Sequence, residues 1–205
     1  MVVIERILDA EKYLRDVDGV VFDLDDTLYS ELEYVKSGFK SIADYFGMPE
    51  LEKELWGSFK NHNSPIDEVF ANRDMQNYKS SALEIYRGHK PNISLYHGVR
   101  EMLLRINNGG RMLGLITDGR PDGQRAKISA LGIQNLFNVI IITDELGDIT
   151  YRKPSSKAFI MMRDKMNIPF ERMVYVGDNI NKDFIAPNKL GMKQIYFNNP
   201  EKIHK

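Results

Sequence analysis

Five short apolar runs constrain this chain more than any other feature: Val20-Val21-Phe22, Met112-Leu113-Gly114-Leu115-Ile116, Val139-Ile140-Ile141-Ile142, Met173-Val174-Tyr175-Val176 and Gln194-Ile195-Tyr196-Phe197. They are rich in β-branched residues and show almost no polar alternation, the pattern of strands covered on both faces. Helix-period segments separate the later four. Val99, Met102, Leu103 and Ile106 form one face, closed by Gly109. Asp122 is placed to cap a second helix carrying Ile128 and Leu131, closed by Gly132. Ala158, Phe159, Met162 and Met166 form a third, and the methionines here, Met161 included, read as core rather than a binding face. Strands alternating with helices in this way predict an α/β fold with a doubly wound parallel sheet.

The stretch from Tyr29 to about Leu95 breaks the alternation and contains no convincing strand. Ser30 and Glu33 have the spacing of a capping box. Leu32, Val35, Phe39, Ile42, Ala43 and Phe46 follow on a helical face that Gly47 and Pro49 stop. Ser64 before Pro65 marks a second helix start. A third helix carries Met75, Tyr78, Ala82, Leu83 and Tyr86 and ends at Gly88 and Pro91. The expected organisation is an α/β core from residues 1–28 and 96–205, with a small all-helical insert at 29–95. The first 18 or so residues, with Ile4, Ile7, Leu8 and Leu14, read as a further helix before the sheet.

Composition narrows the function classes. A length of 205 residues suits one α/β domain with a modest insert. The formal net charge of −1 gives no electrostatic footprint for nucleic acid, so a bound anion must be held by local geometry. The chain has no cysteine, which excludes disulfides, thiolate metal sites and a cysteine nucleophile. Glu5, Arg6, Asp9, Glu11 and Lys12 interrupt any signal-peptide core, and no apolar run reaches the ~20 residues of a membrane span. The expectation is a soluble, cytoplasmic protein with no nucleic-acid or membrane partner; oligomeric state stays open between monomer and homodimer.

Ligands of open parallel sheets bind beyond the carboxyl ends of the strands. After Phe22 comes Asp23-Leu24-Asp25-Asp26-Thr27, after Ile116 comes Thr117-Asp118-Gly119, and after Val176 comes Gly177-Asp178-Asn179 with Asp183 beyond. After Ile142 come Thr143, Asp144 and Glu145, then Arg152-Lys153-Pro154. Carboxylates, a hydroxyl and an amine are thus expected on one edge. Gathered carboxylates repel and are driven to protonate, and a hard divalent cation with oxygen ligands, magnesium, resolves this. Thr117 and the Asp118 amide can donate to phosphoryl oxygens, and Lys153 adds positive charge. This inventory suits phosphoryl transfer, which needs positioning and charge stabilisation. Asp23 can attack phosphorus, and Asp25 can protonate the leaving oxygen and then deprotonate water.

These four segments resemble, in order and spacing, the four motifs of the haloacid dehalogenase (HAD) superfamily: Asp23 to Thr27, Thr117, Lys153, and Gly177-Asp178 followed by Asp183. The resemblance covers the chain from residue 19 to the end. It implies a Rossmann-like core, with the insert after the first core strand as a helical cap. It also implies roles. Asp23 is the nucleophile and a magnesium ligand. Asp25 is the general acid/base, its main-chain carbonyl also on the metal. Thr117 and Lys153 orient the phosphate, and Asp178 completes the metal site. Asp183 orients Lys153 or a metal-bound water. Leu24 and Asp118 contribute amides to substrate, with Gly119 beside them. The implied activity is magnesium-dependent hydrolysis of a small phosphomonoester, a sugar phosphate or nucleotide, through an aspartyl-phosphate. The Asp26-Thr27-Leu28-Tyr29 run is similar to nucleotidase-like members.

Blander and rival readings stand beside these. A calcium loop starting at Asp23 would want Gly and Glu where Leu28 and Tyr34 stand. Asp26 reads as a solvated or turn-stabilising carboxylate. Asp144 and Glu145 read as loop or capping residues, and Arg120, Arg125 and Arg152 as surface charges, with reach to the substrate as the alternative. His62, His89, His97 and His204 lack ligand spacing and read as surface residues. Tyr29, Tyr34, Trp56 and Tyr78 read as core of the insert, with Tyr29 placed where strand one hands over to it. Pro187 predicts that the helix after Asp183 is short or starts late. A sugar-phosphate mutase would keep the covalent step, and a phosphate-binding regulatory protein would lack turnover. A dehalogenase needs neither metal nor a second acid, so Asp25 and Asp178 speak against it.

Overall fold

The computed structural model describes residues 1–61 and 64–203, so His62 and His204 lie outside the described residues. The chain divides into two compact units, Met1–Glu31 with Ser94–Lys205, and Leu32–Ile93. The first unit is built on six strands: β1 Val2–Ile4, β2 Gly19–Phe22, β3 Met112–Thr117, β4 Val139–Ile142, β5 Met173–Gly177 and β6 Lys193–Phe197. All pair in parallel, in the order β1-β6-β5-β2-β3-β4. The chain runs outward from β2 to β3 and β4, then returns to β5 on β2's other side. That reversal makes the carboxyl end of β2 a topological switch point, where ligands of such sheets bind.

Helices in chain order are α1 Glu31–Phe46, α2 Glu50–Lys60, α3 Pro65–Asn72, α4 Lys79–Gly88, α5 Val99–Asn108, α6 Pro121–Leu131, α7 Lys157–Met166 and α8 Ile185–Leu190. Every residue of β2 and β5 is buried, as their unbroken apolar character requires. On α7 the residues Ala158, Phe159, Met162 and Met166 are buried in one cluster with Val21, Ile116 and Tyr175. Gly114 fits that cluster because a Cβ there would lie 2.7 Å from Met162 Sδ. Pro187 lies in the first turn of a six-residue α8, where its missing N–H would have no intrahelical partner.

The expected N-terminal helix is not what forms. Val2–Ile4 is an edge strand in register with Ile195–Phe197, and a 3₁₀ helix follows at Ile7–Tyr13. Three β-branched residues in a row gain more from completing the ladder of β6 than from a lone helical turn. Asp122 is not the cap of α6 either. That helix starts at Pro121 behind an extended Arg120, so Asp122 sits in the first turn, where its charge favours the helix dipole.

The second unit holds α1 beyond its first residue and α2 to α4, one helix more than the sequence pattern predicts. The unanticipated α2 is highly charged and buries Leu51, Leu55 and Ser58. An aromatic cluster of Tyr34, Phe39, Tyr86 and His89 fills this unit, with rings 4.8–5.9 Å apart. His89 is therefore buried, not on the surface, and its Nδ1 meets the Tyr86 carbonyl at 2.6 Å. Tyr78 is more than half exposed, against the expectation of core. Among the described residues, no helix is long and apolar enough to cross a membrane.

Candidate active site

Strands β2, β3, β4 and β5 each lead into a polar residue at the same edge of the sheet. Asp23 follows β2, and its N–H still donates to the Val176 carbonyl at 2.9 Å, so the nucleophile candidate is fixed by the sheet. Thr117 is the last residue of β3, and Asp178 is the first residue after β5. Lys153 follows β4 by a loop and precedes Pro154 through a cis peptide bond. Asp23, Asp25, Thr117, Asp118, Gly119, Lys153 and Asp178 line one cavity of about 350 Å³. Leu24 and Asp183 are fully buried and do not line it. The Leu24 carbonyl accepts from the Thr27 and Leu28 amides, which folds the loop back on itself. Asp26, Glu31, Arg152, Asn179 and Lys182 complete the lining.

A buried charge cluster occupies the centre. Lys153 Nζ donates to Asp23 Oδ1 at 2.6 Å and to the Tyr175 hydroxyl at 3.0 Å. It also pairs with Asp183 Oδ1 at 2.9 Å. The other Asp183 oxygen accepts from the Asn179 amide at 2.9 Å. Burial alone would strip the Lys153 proton, but the Asp183 and Asp23 carboxylates outweigh it and hold the ammonium well above its ordinary range.

Asp25 sits in a second, separate set of contacts. Its Oδ1 accepts from Lys127 Nζ at 2.7 Å and from the Tyr29 hydroxyl, and its Oδ2 accepts from Gln124 Nε2 at 2.9 Å. Burial works against ionisation here, yet the Lys127 charge and the three donors outweigh it and hold the carboxyl below the usual range. Gln124 also donates to Thr117 Oγ1.

Two further aspartates fasten the loops. Asp118 Oδ1 accepts from Thr143 Oγ1 at 3.0 Å and from the Lys153 amide at 3.1 Å, tying the ends of β3 and β4 to the lysine. Asp26 is not solvated. It is buried with a left-handed φ of 53°, and its oxygens accept from the Glu31 amide at 2.9 Å and the Ile203 amide at 2.8 Å. Asn199 Nδ2 donates to its carbonyl at 2.7 Å. Asp144 and Glu145 form bidentate pairs with Arg152 and Arg125.

Asp23, Asp178 and Asp183 each place one oxygen within 4.8 Å of the other two. Burial pushes the Asp178 carboxyl up to about 8, with Asp23, Asp183 and Asp26 adding repulsion. Burial also pushes Asp23 up to about 7, against the pull of Lys153. Asp183 Oδ1 is buried and meets Lys153 as an ion pair without a hydrogen bond. An all-oxygen, hard donor set that resists ionisation without a counter-charge fits a divalent cation. Asp25 does not put its carboxylate into this cluster, and the part expected of it there is its main-chain carbonyl.

Several residues of the site escaped the sequence reading. Tyr175 carried a signal: a tyrosine inside a fully buried strand needs a partner for its hydroxyl. Gln124 and Lys127 carried another. They fall at i and i+3 of the stripe that Ile128 and Leu131 complete, so two polar residues share the inward face of α6. Nothing local marked Glu31, whose carboxyl burial pushes up to about 8, with Asp25 adding repulsion.

Comparison with known proteins places this geometry. Residues 20–197 match the family model described as haloacid dehalogenase-like hydrolase. The glyceraldehyde 3-phosphate phosphatase of Pyrococcus furiosus is 29% identical over 202 residues, covering 90% of this chain and 82% of that protein. The protein of the same name from Methanocaldococcus jannaschii is 30% identical over 191 residues, covering 86% and 82%. Among solved structures, a HAD-superfamily hydrolase, subfamily IA, variant 1, from Geobacter sulfurreducens matches with a TM-score of 0.72 at 16% identity, covering 90% of this chain and 89% of the other.

Proposed function

We propose, from the premise that this chain belongs to the haloacid dehalogenase-like hydrolase family and is a phosphatase within it, that it hydrolyses a small sugar-class phosphomonoester with magnesium through an aspartyl-phosphate. The observation that carries this reading is the convergence of Asp23, Thr117, Lys153 and Asp178 on one cavity at the carboxyl edge of the sheet. The named relatives act on a three-carbon sugar phosphate, and a cavity of about 350 Å³ in this unit has room for a metabolite of that size.

In the proposed reaction an Asp23 carboxylate oxygen attacks phosphorus and the bond to the leaving oxygen breaks. Lys153 keeps Asp23 oriented and offsets charge on the phosphoryl oxygens. The Thr117 hydroxyl and the Asp118 amide donate to those oxygens. Asp25 in its protonated form gives the leaving oxygen its proton and, now ionised, takes one back from the water that releases phosphate. A magnesium ion bound by Asp23, Asp178 and the Asp25 carbonyl would supply further neutralisation of the phosphoryl charge. Asp183 supports Lys153. The helical unit is proposed to be the cap that selects substrate.

Phosphate release from a panel of phosphorylated metabolites tests the reading, scored by kcat/KM with magnesium and with EDTA. Glyceraldehyde 3-phosphate, other sugar phosphates and mononucleotides belong in the panel. A short-chain sugar phosphate is expected to lead. A panel with no turnover at an occupied metal site defeats the proposal.

The raised carboxyls give a second expected result. A carboxyl whose folded pKa exceeds its unfolded value of 3.8 binds its proton more tightly when folded, so its contribution favours the fold below that value and is lost as pH climbs through about 7 to 8. Magnesium competes with those protons. The rise in Tm on adding magnesium is therefore expected to be small at pH 5 and to grow steadily to pH 8.5. Melting curves in EDTA and in magnesium across that range measure it. A magnesium effect independent of pH contradicts binding at these carboxylates.

A further inference from the structure

We infer that Gln124 and Lys127, one turn apart on α6, are positioning residues that hold Asp25 for the hydrolytic half of the reaction. The inference rests on the proposed aspartyl-phosphate chemistry. Both Asp25 oxygens are engaged, Oδ1 by Lys127 Nζ at 2.7 Å and by the Tyr29 hydroxyl, Oδ2 by Gln124 Nε2 at 2.9 Å. Every one of these neighbours is a donor. That is the surrounding an ionised carboxylate takes, and an ionised carboxylate is what a general base must be. Lys127 and Gln124 are themselves buried, so the contacts are not screened, and helix α6 fixes both backbones.

Gln124 does more than hold Asp25. Its Nε2 is also the donor to Thr117 Oγ1. The carboxylate of Asp25 forces the nitrogen of that amide, not its oxygen, to face both residues. Thr117 Oγ1 therefore accepts from Gln124, and its own hydrogen is released to point at a phosphoryl oxygen. One buried amide thus couples the phosphate-orienting hydroxyl to the base that finishes the reaction. In that step the water oxygen bonds phosphorus, the bond from phosphorus to the Asp23 oxygen breaks, and the water proton passes to Asp25.

The two half-reactions separate with 2,4-dinitrophenyl phosphate, whose leaving group needs no proton. Lys127→Met is expected to form the phosphoenzyme at the wild-type rate and release phosphate about 10–100-fold more slowly, the loss of a hydrogen bond to a charged group; Gln124→Leu, which also disturbs Thr117, is expected to slow release by as much and formation only several-fold. Stopped-flow traces should show a burst of dinitrophenolate followed by the slowed steady state, and kcat should become equal for phenyl and 2,4-dinitrophenyl phosphate. Lys127→Arg, which keeps the charge, is expected to recover most of the rate. The inhibition constant of inorganic phosphate should rise several-fold in Gln124→Leu and stay within about twofold in Lys127→Met, because only the former disturbs Thr117.

The burst amplitude counts the competent enzyme, so partial misfolding does not obscure the result. A fall in kcat without a burst, or an unchanged kcat, overturns the inference. Failure of the underlying aspartyl-phosphate reading looks different: wild-type enzyme would then form no acid-stable, base-labile phosphoenzyme and release no phosphate from either ester.

Discussion

Asp23→Asn is expected to abolish turnover, lowering kcat by about 10⁴-fold or more, as removal of a covalent nucleophile does. The amide has the shape of the carboxylate but cannot attack phosphorus. Folding is not expected to suffer. Asp23 is a carboxyl that burial pushes up to about 7, and Asp183 and Asp178 lie in the same cluster. Neutralising it removes mutual repulsion, while Lys153 keeps Asp183 at 2.9 Å and the Tyr175 hydroxyl at 3.0 Å. The metal-free variant should melt no lower than wild type at pH 8, where the wild-type carboxyl is ionised. Initial rates on a phosphate ester, beside melting curves, check both halves. Substantial residual hydrolysis would remove Asp23 from the role proposed for it.

Lys153→Met is expected to damage folding and chemistry together. The ammonium is buried between Asp23 and Asp183, at 2.6 and 2.9 Å. Methionine matches the length of the side chain and removes its charge. Two buried carboxylates then face each other without their cation. Breaking a buried pair in this way costs about 3–5 kcal/mol, mostly because the remaining charge cannot be solvated. Metal-free protein should therefore melt well below wild type at pH 8, and lowering the pH should close part of the gap as the orphaned carboxyls protonate. Loss of phosphoryl-charge stabilisation should lower kcat by about 10²–10³-fold. Denaturant unfolding and initial rates measure the two effects. A variant as stable as wild type at pH 8 would contradict the buried-charge account of this site.

The contrast between these two substitutions reflects what could be read locally. Asp23, Thr117 and Asp178 were legible because each stands where an unbroken apolar run stops. A strand buried on both faces tolerates no charge, so the first polar residue must lie at its end. Lys153 was harder to read, being a loop away from β4, and the family spacing singled it out. Edge strand β1 was misread because Val2-Val3-Ile4 has no meaning until β6 offers it a ladder. His89 looked like a surface residue because nothing around it in sequence reveals the tyrosine rings that enclose it. The solvated alternative for Asp26 fails for the same reason, since its partners include Asn199 and Ile203, far along the chain, while its bond to the Glu31 amide agrees with the turn-stabilising one.

The sequence by itself determined five of the six strands, their parallel sense and the edge where chemistry gathers, because hydrophobic period and the position of the first polar residue are local properties. It also named the carboxylates, the hydroxyl and the amine. Tertiary structure alone decided how they are partnered. Lys153 joins Asp23, Asp183 and Tyr175, whereas Asp25 turns to Lys127, Gln124 and Tyr29. Those partnerships link residues up to 130 positions apart. No local propensity encodes them, and the buried charges persist only because the fold supplies each one with its partner.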